Sequence, residues 1–277
     1  MSKITKNFGH FIGNGLLILF SFINCFPILW MFYTALKTEK EYSISSVTLP
    51  GTLNLKNFFE AMDAGALLGG IANSFFLSTV SVAGILLISF VTGYLLSRFS
   101  FKGRNVIYTF FLGGMLIPVH ALLVPVFMEF KQLGFLNHRY TLLLPYIVFG
   151  LATSIFLIEN FVRKIPLEIE EAAMIDGCSF ANRLGRIVFP MCRPVVATVV
   201  VMSFLDCWNE FSFGLILVSD ESLKTLQVRL AAFAGLKVIN YPRLMAALVI
   251  ATIPVLLVYI LLHNKIIDGM TAGAVKG

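Results

Sequence analysis

Charge is what this sequence has least of. Asp, Glu, Lys and Arg make up 13% of its 277 residues, about half the roughly 25% of an ordinary soluble domain. So few charges cannot cover a water-facing surface, which excludes a disordered chain, a coiled coil and a nucleic-acid-binding domain. Cysteine is sparse too. Cys25, Cys178, Cys192 and Cys207 form no C-x-x-C and no paired spacing, so they read as small apolar fillers rather than disulfides or metal ligands. The four histidines (His10, His120, His138, His263) show no i, i+4 pair, and no metal site is expected. No Gly-x-x-x-x-Gly-Lys-Ser/Thr occurs, so the chain has no P-loop to cradle nucleotide phosphates. With no triad or zinc signature either, it is not expected to be an enzyme. What fills the sequence instead is apolar: 58% hydrophobic residues and a mean hydropathy of +0.87. That composition reads as an all-α polytopic membrane protein. The surplus of 21 Lys and Arg over 15 Asp and Glu, a net charge of +6, is then a topology signal rather than the mark of a polyanion partner.

A membrane-spanning helix needs about 20 apolar residues, and the gaps between charges supply six. The expected spans are approximately 13–33, 70–96, 106–128, 140–162, 195–218 and 244–263. An even number places both termini on one side. Lys3 and Lys6, with Arg98, Lys102 and Arg104 in a short loop, set that side as the cytoplasmic one. The first apolar run is too long for a signal-peptide core and is followed by no A-x-A-like site, so it reads as an uncleaved anchor. Residues 37–69 form an exterior loop long enough for a small amphipathic helix with Leu55, Phe58, Phe59 and Met62 on one face, able to lie on the bilayer or touch a partner.

Two spans carry more than apolar side chains. The third holds Pro118 and Pro125 with His120 between them, so a kink is expected, either as shape alone or as a bent helix lining a cavity. The fifth holds Asp206 at its midpoint and Glu210 one turn on, with Asn209 beside them. A central Asp costs roughly 2.5–3.5 kcal/mol on insertion, and each Leu, Ile, Val or Phe returns only about 0.3–0.6. Insertion of this helix is therefore close to break-even, and its acidic face must meet protein or water. Asp206, Asn209 and Glu210 are accordingly candidates for a solute pathway or subunit interface, with hydrogen-bonded packing the alternative.

The loop 165–194 is unlike a plain connector. Pro166 is placed to open a helix, Glu168, Glu170 and Glu171 favour its positive N-terminal end, and Asp176-Gly177 closes it. Ser179 can cap a second short helix through Leu184, Ile187 and Val188, expected to stop before Pro190. Two short helices at an angle, with acidic and apolar surfaces, suit either docking of a soluble partner or rest on the lipid surface. At this point the sequence resembles a family. Glu171-Ala172-Ala173-x-x-x-Gly177, followed by Ile187-x-Phe189-Pro190, resembles the EAA loop of bacterial ABC importer permeases, with Phe-Pro where that family has Leu-Pro. Ile165-Pro166-Leu167-Glu168, Asp176-Gly177, Arg193-Pro194, Trp208-Asn209-Glu210 and the ending Gly269 to Gly277 resemble its carbohydrate branch, the second and shorter maltose-type permease.

The resemblance covers the whole chain and implies six transmembrane helices with a cytoplasmic coupling loop. It implies a second, homologous permease, two copies of an ABC ATPase that holds ATP-Mg while this chain holds no cofactor, an extracytoplasmic solute-binding protein, and a bacterial cytoplasmic membrane location. It further implies that Glu171, Ala172, Ala173, Asp176, Gly177, Ile187 and Pro190 form the ATPase-coupling surface, with Glu171 meeting a basic group. The tail at Gly273, Val275, Lys276 and Gly277 would reach the ATPases. The substrate would be a sugar or related solute. The competing reading is an ion-coupled secondary transporter using Asp206 and Glu210.

Overall fold

The computed structural model describes residues 3–64, 67–235 and 239–274. Among them there are helices and connecting segments but no strand, as a bilayer requires of any chain that does not close a barrel. The helices are α1 (Lys3–Ala35), α2 (Glu39–Ile44), α3 (Lys56–Ala64), α4 (Leu67–Arg98), α5 (Arg104–Gly114), α6 (Leu123–Leu133), α7 (Leu143–Val162), α8 (Leu167–Ile175), α9 (Phe180–Asn182), α10 (Phe189–Met191), α11 (Arg193–Asn209), α12 (Ser212–Leu217), α13 (Leu226–Ala234) and α14 (Tyr241–Ala274). Four of the described helices are long and apolar enough to cross a membrane unbroken: Gly13–Ala35, Leu67–Arg98, Leu143–Val162 and Tyr241–Leu261. Two bent pairs bring the number of candidate spans to six. The chain is an all-α polytopic membrane protein.

The bends have local causes. Arg104–Gly114 and Val119–Leu133 meet at 91°, with Pro118 extended between them. Pro125 falls in the first turn of α6, where its missing N–H costs nothing. The fifth apolar run differs from a single helix through residues 195–218. α11 ends at Asn209, Glu210 is extended at φ −65°, ψ 127°, and α12 begins at Ser212. Glu210 therefore does not continue the helical face of Asp206.

The chain divides into two compact units. The first comprises Met1–Leu67 and Arg229–Ile253. Residues 14–29 of α1 are all exposed, an apolar surface suited to lipid or another subunit. The connection after α1 is held tightly. Lys37 is buried and donates from Nζ to the carbonyls of Ser45 (3.0 Å) and Ser46 (3.2 Å). Burial lowers its pKa, with the nearby Glu41 opposing. Trp30 and Tyr33 donate to the carbonyls of Ser46 and Val47, each at 2.9 Å, and Asn57 donates to those of Ala35 and Lys37, each at 2.7 Å. α2 opens with a Thr38–Glu41 capping box. On α3 the inward residues are Asn57 and Ala61, so Leu55 and Phe59 stand exposed.

The second unit comprises Leu68–Val228 and Pro254–Gly277 and contains the large core. Its central seam is α4 against α7. A Cβ on Gly93 would lie 2.9 Å from Ile158 Cγ2 and 3.1 Å from the Glu159 amide nitrogen, and one on Gly84 would lie 2.9 Å from Ile147. Small residues let two backbones approach where lipid supplies no hydrophobic drive. At the end of that seam Glu159, fully buried, takes Arg104 Nη2 at 3.3 Å and also pairs with Arg163.

Candidate functional site

The bracket between α7 and α11 is built from its caps. Pro166 occupies the N-cap of α8, one position earlier than the sequence suggests. Gly177 adopts φ +77°, and its amide donates to Met174 while that of Cys178 donates to Ala173 at 2.9 Å, the paired bonds that close a helix through a left-handed glycine. Ser179 then accepts from Asn182 at 3.4 Å and opens the second helix. This helix does not stop before Pro190. It widens into a π turn over Arg183–Val188, where Phe189 N–H reaches back to Leu184, and continues through Met191. The wider turn gives the proline ring room that an α turn would deny, and the break comes at Cys192, where the chain turns 78° into α11.

On α8 polarity is inverted. Glu170 and Ala173 are buried, whereas Leu167, Ile169, Glu171, Met174 and Ile175 are exposed, Ile175 at 87%. The buried carboxylate is satisfied: Tyr94 hydroxyl donates to Oε2 at 2.6 Å, Arg98 Nε to Oε1 at 2.6 Å, and Arg183 Nε lies 3.5 Å from Oε2.

A second site lies in the middle of the apolar segments. A cavity of about 610 Å³ is walled by Ile85, Val119, Phe149 and Phe213 and bears His120, Tyr146, Ser203, Asp206, Asn209, Glu210 and Ser212. The helix break supplies its polar wall. Glu210 accepts from the amides of Phe213 (2.6 Å) and Gly214 (3.1 Å) and from Tyr146 hydroxyl (3.0 Å), so it caps α12 and ties it to α7. Asp206 and Asn209 are exposed to the cavity. Behind them Trp208 is buried and stacks on Phe204 at 5.7 Å. A size of this order, with apolar walls and few polar groups, suits a small solute.

Residues 84–271 match the family described as binding-protein-dependent transport system inner membrane component. The chain belongs to this family. It is the permease component of an ABC importer, and ATP hydrolysis lies in a separate subunit. The permease is 34% identical over 253 residues to the sulfoquinovosyl glycerol transport system permease of Agrobacterium fabrum, covering 91% of this chain and 89% of that one. It is 33% identical to a diacetylchitobiose uptake system permease of Streptomyces coelicolor, covering 96% and 88%. It is 30% identical to the trehalose/maltose transport system permease of Thermococcus litoralis, covering 94% of each. Its fold is similar to that of a bacterial ABC transporter involved in the import of alginate, with a TM-score of 0.82, 23% identity and coverage of 95% and 98%.

The permease places its sequence candidates unevenly. Glu171, Ala172 and Asp176 are exposed together on the bracket, Ala173 is buried beneath them, and Ile187 and Pro190 are half-buried on the second helix. Gly273 falls in α14, while Val275, Lys276 and Gly277 lie outside the described residues. Asp206, Asn209 and Glu210 share the cavity, although Glu210 reaches it through the break rather than through a common helical face. Ion coupling through Asp206 and Glu210 gives way to the family's ATP-driven import. The sequence reading missed Glu159, Arg183 and Tyr146 and saw in Glu170 only an acid suited to the helix N-terminus. Apart from Arg163, four residues from Glu159, and Arg183, in the same loop as Glu170, their partners lie 55 to 89 residues away, and no spacing rule reaches that far. Two signals were available: the i, i+4 spacing of Glu159 and Arg163, and the placing of Arg98 and Arg104 at the ends of uncharged runs, where each could seek a carboxylate.

Proposed function

We propose that this permease is one of two homologous transmembrane subunits of a sugar importer in the bacterial cytoplasmic membrane, with the 165–194 bracket and both termini cytoplasmic. The observation that carries the reading is the inverted surface of α8. A short helix with apolar Met174 and Ile175 and acidic Glu171 facing out, over a buried Glu170, is suited to sit in a cleft of a soluble ATPase that binds ATP-Mg. Nucleotide-driven closure of two such ATPases would push the bracket and tilt the spans around the 610 Å³ cavity, switching access from the side of an external binding protein to the cytoplasm. Relatives named for diacetylchitobiose, trehalose/maltose and sulfoquinovosyl glycerol support a glycoside as cargo. Asp206 and Asn209 would meet its hydroxyls, while Glu210 shapes the wall.

Two variants test the docking. Glu171→Lys reverses the exposed charge, and Gly177→Asp places a side chain at φ +77°, which costs on the order of 1–2 kcal/mol and tilts α8. Both should insert in normal amount yet lose the ATPase on affinity purification and abolish uptake. Wild-type retention of the ATPase by both would overturn the docking surface.

A further inference from the structure

Glu170 and Glu171 are neighbours with opposite surroundings, and the proposed docking uses only the outward one. Glu170 is 3% exposed, and its carboxylate joins three helical segments. Arg98, which donates to Oε1, is the last residue of α4, and Tyr94, which donates to Oε2, is one turn earlier on the same span. Arg183, on the π turn of the second bracket helix, approaches Oε2 and also donates to the Tyr94 hydroxyl at 3.3 Å. Arg98 reaches further, donating from Nη2 to the Ile165 carbonyl at 2.8 Å, just before α8 begins. Both carboxylate oxygens are thus engaged, Tyr94 and Arg183 also touch each other, and Arg98 ties the group to the backbone just before α8.

Stability alone is a poor reason for this arrangement, because a buried ion pair is often replaceable by apolar packing at no cost. What charged hydrogen bonds add is direction. Apolar side chains let two helices slide past each other, whereas short charge-assisted bonds from a rigid guanidinium fix both distance and angle. We propose that Glu170 is a positioning residue for energy coupling. It makes α8, the π turn and the last turn of α4 move as one body, so that displacement of the bracket is delivered to the α4 span. The proposal rests on the docking reading above, and Glu171→Lys tests that reading independently through ATPase retention.

The test uses the full importer with its partner permease and ATPases, on a background in which the four cysteines are replaced. Spin labels at Leu95 on α4 and Glu168 on α8 report the separation of the two helices in the nucleotide-free and ATP–vanadate-trapped complexes. With Glu170 in place, the distance distribution should be the same in both states. Glu170→Gln, which keeps the shape and removes the charge, should retain the ATPase yet give a distribution roughly twofold broader that shifts on trapping, as local release of one contact network allows. Tyr94→Phe removes a single hydroxyl and should broaden it in the same direction by less. If the Gln variant does not assemble, the Phe variant decides by itself. Wild-type distributions in the assembled variants would overturn the proposal, as would a wild-type separation that itself changes with nucleotide.

Discussion

Two regions of this permease carry buried or half-buried acids, and they satisfy them in opposite ways. At the bracket end of α4 and α7, Glu159 and Glu170 are almost wholly buried and are met by Arg104, Arg163, Arg98 and Arg183. In the cavity, among the described residues, no ion pair involves Asp206 or Glu210. Glu210 relies on two backbone amides and a tyrosine hydroxyl, and Asp206 stands open to the cavity. Burial penalises a lone carboxylate heavily, and cations, oriented N–H groups and water each offset that cost. The first solution makes a stiff joint, because guanidinium pairs fix distance and angle. The second leaves a polar group whose partners are exchangeable, as the proposed solute pathway requires.

The largest expected effect comes from breaking the stiff end. Arg98→Met leaves Glu170 buried with Arg183 as its remaining cation and should cost about 3–5 kcal/mol, read as a lowered thermal midpoint of the detergent-solubilised complex. If the loss is under about 1 kcal/mol, the joint is wetter than the geometry shows. Packing beside the joint ranks next. Gly93→Ala drives a methyl against Ile158 and the Glu159 backbone and should cost about 1–3 kcal/mol as an overpacked seam, while a polar change of equal volume at an exposed site should not. In the cavity, Glu210→Gln keeps an acceptor for one amide but not both, and about 1–2 kcal/mol is expected. Asp206→Asn sharpens the contrast most directly: stability should stay within about 0.5 kcal/mol, while uptake in cells changes. An Asn variant with normal uptake would remove Asp206 from the pathway.

The mildest prediction concerns a carboxylate of a third kind, half-buried and outside the spans. Glu41 accepts from the Thr38 amide (2.8 Å) and hydroxyl and from Gly51, and the Thr38 amide is the leading reason that its pKa is lowered. The unfolded segment therefore takes up a proton first. The contribution of Glu41 is complete above the ordinary carboxylate range near 4.3 and is lost as pH falls through the lower folded value. The protection of the amides of residues 38–45, that is, their exchange relative to the unfolded chain at the same pH, should fall on acidification below that range. Glu41→Gln should show the lower protection at neutral pH and little further change with acid.

Most of the fold was legible because a bilayer leaves few choices. Long uncharged runs must be helices, and the bracket's caps followed from Pro166, Gly177 and Ser179. What escaped were interruptions and partners. α11 stops at Asn209 because Glu210 turns to cap the following helix, and that depends on Tyr146 from another span. The second bracket helix passes Pro190 because a π turn opens there. Neither is a property of the local pattern.

By itself, then, the sequence determined that the chain lives in the membrane, that it has no P-loop through which to hydrolyse ATP, and that its loop 165–194 resembles the EAA loop of ABC importer permeases. Those are consequences of which residue types are present and of short-range spacing. The tertiary structure decided which acids are anchors and which are open. Glu170 and Glu171 are identical and adjacent in the chain. Only the approach of Arg98, Arg183 and Tyr94 buries one of them in a hydrogen-bonded joint and leaves the other exposed.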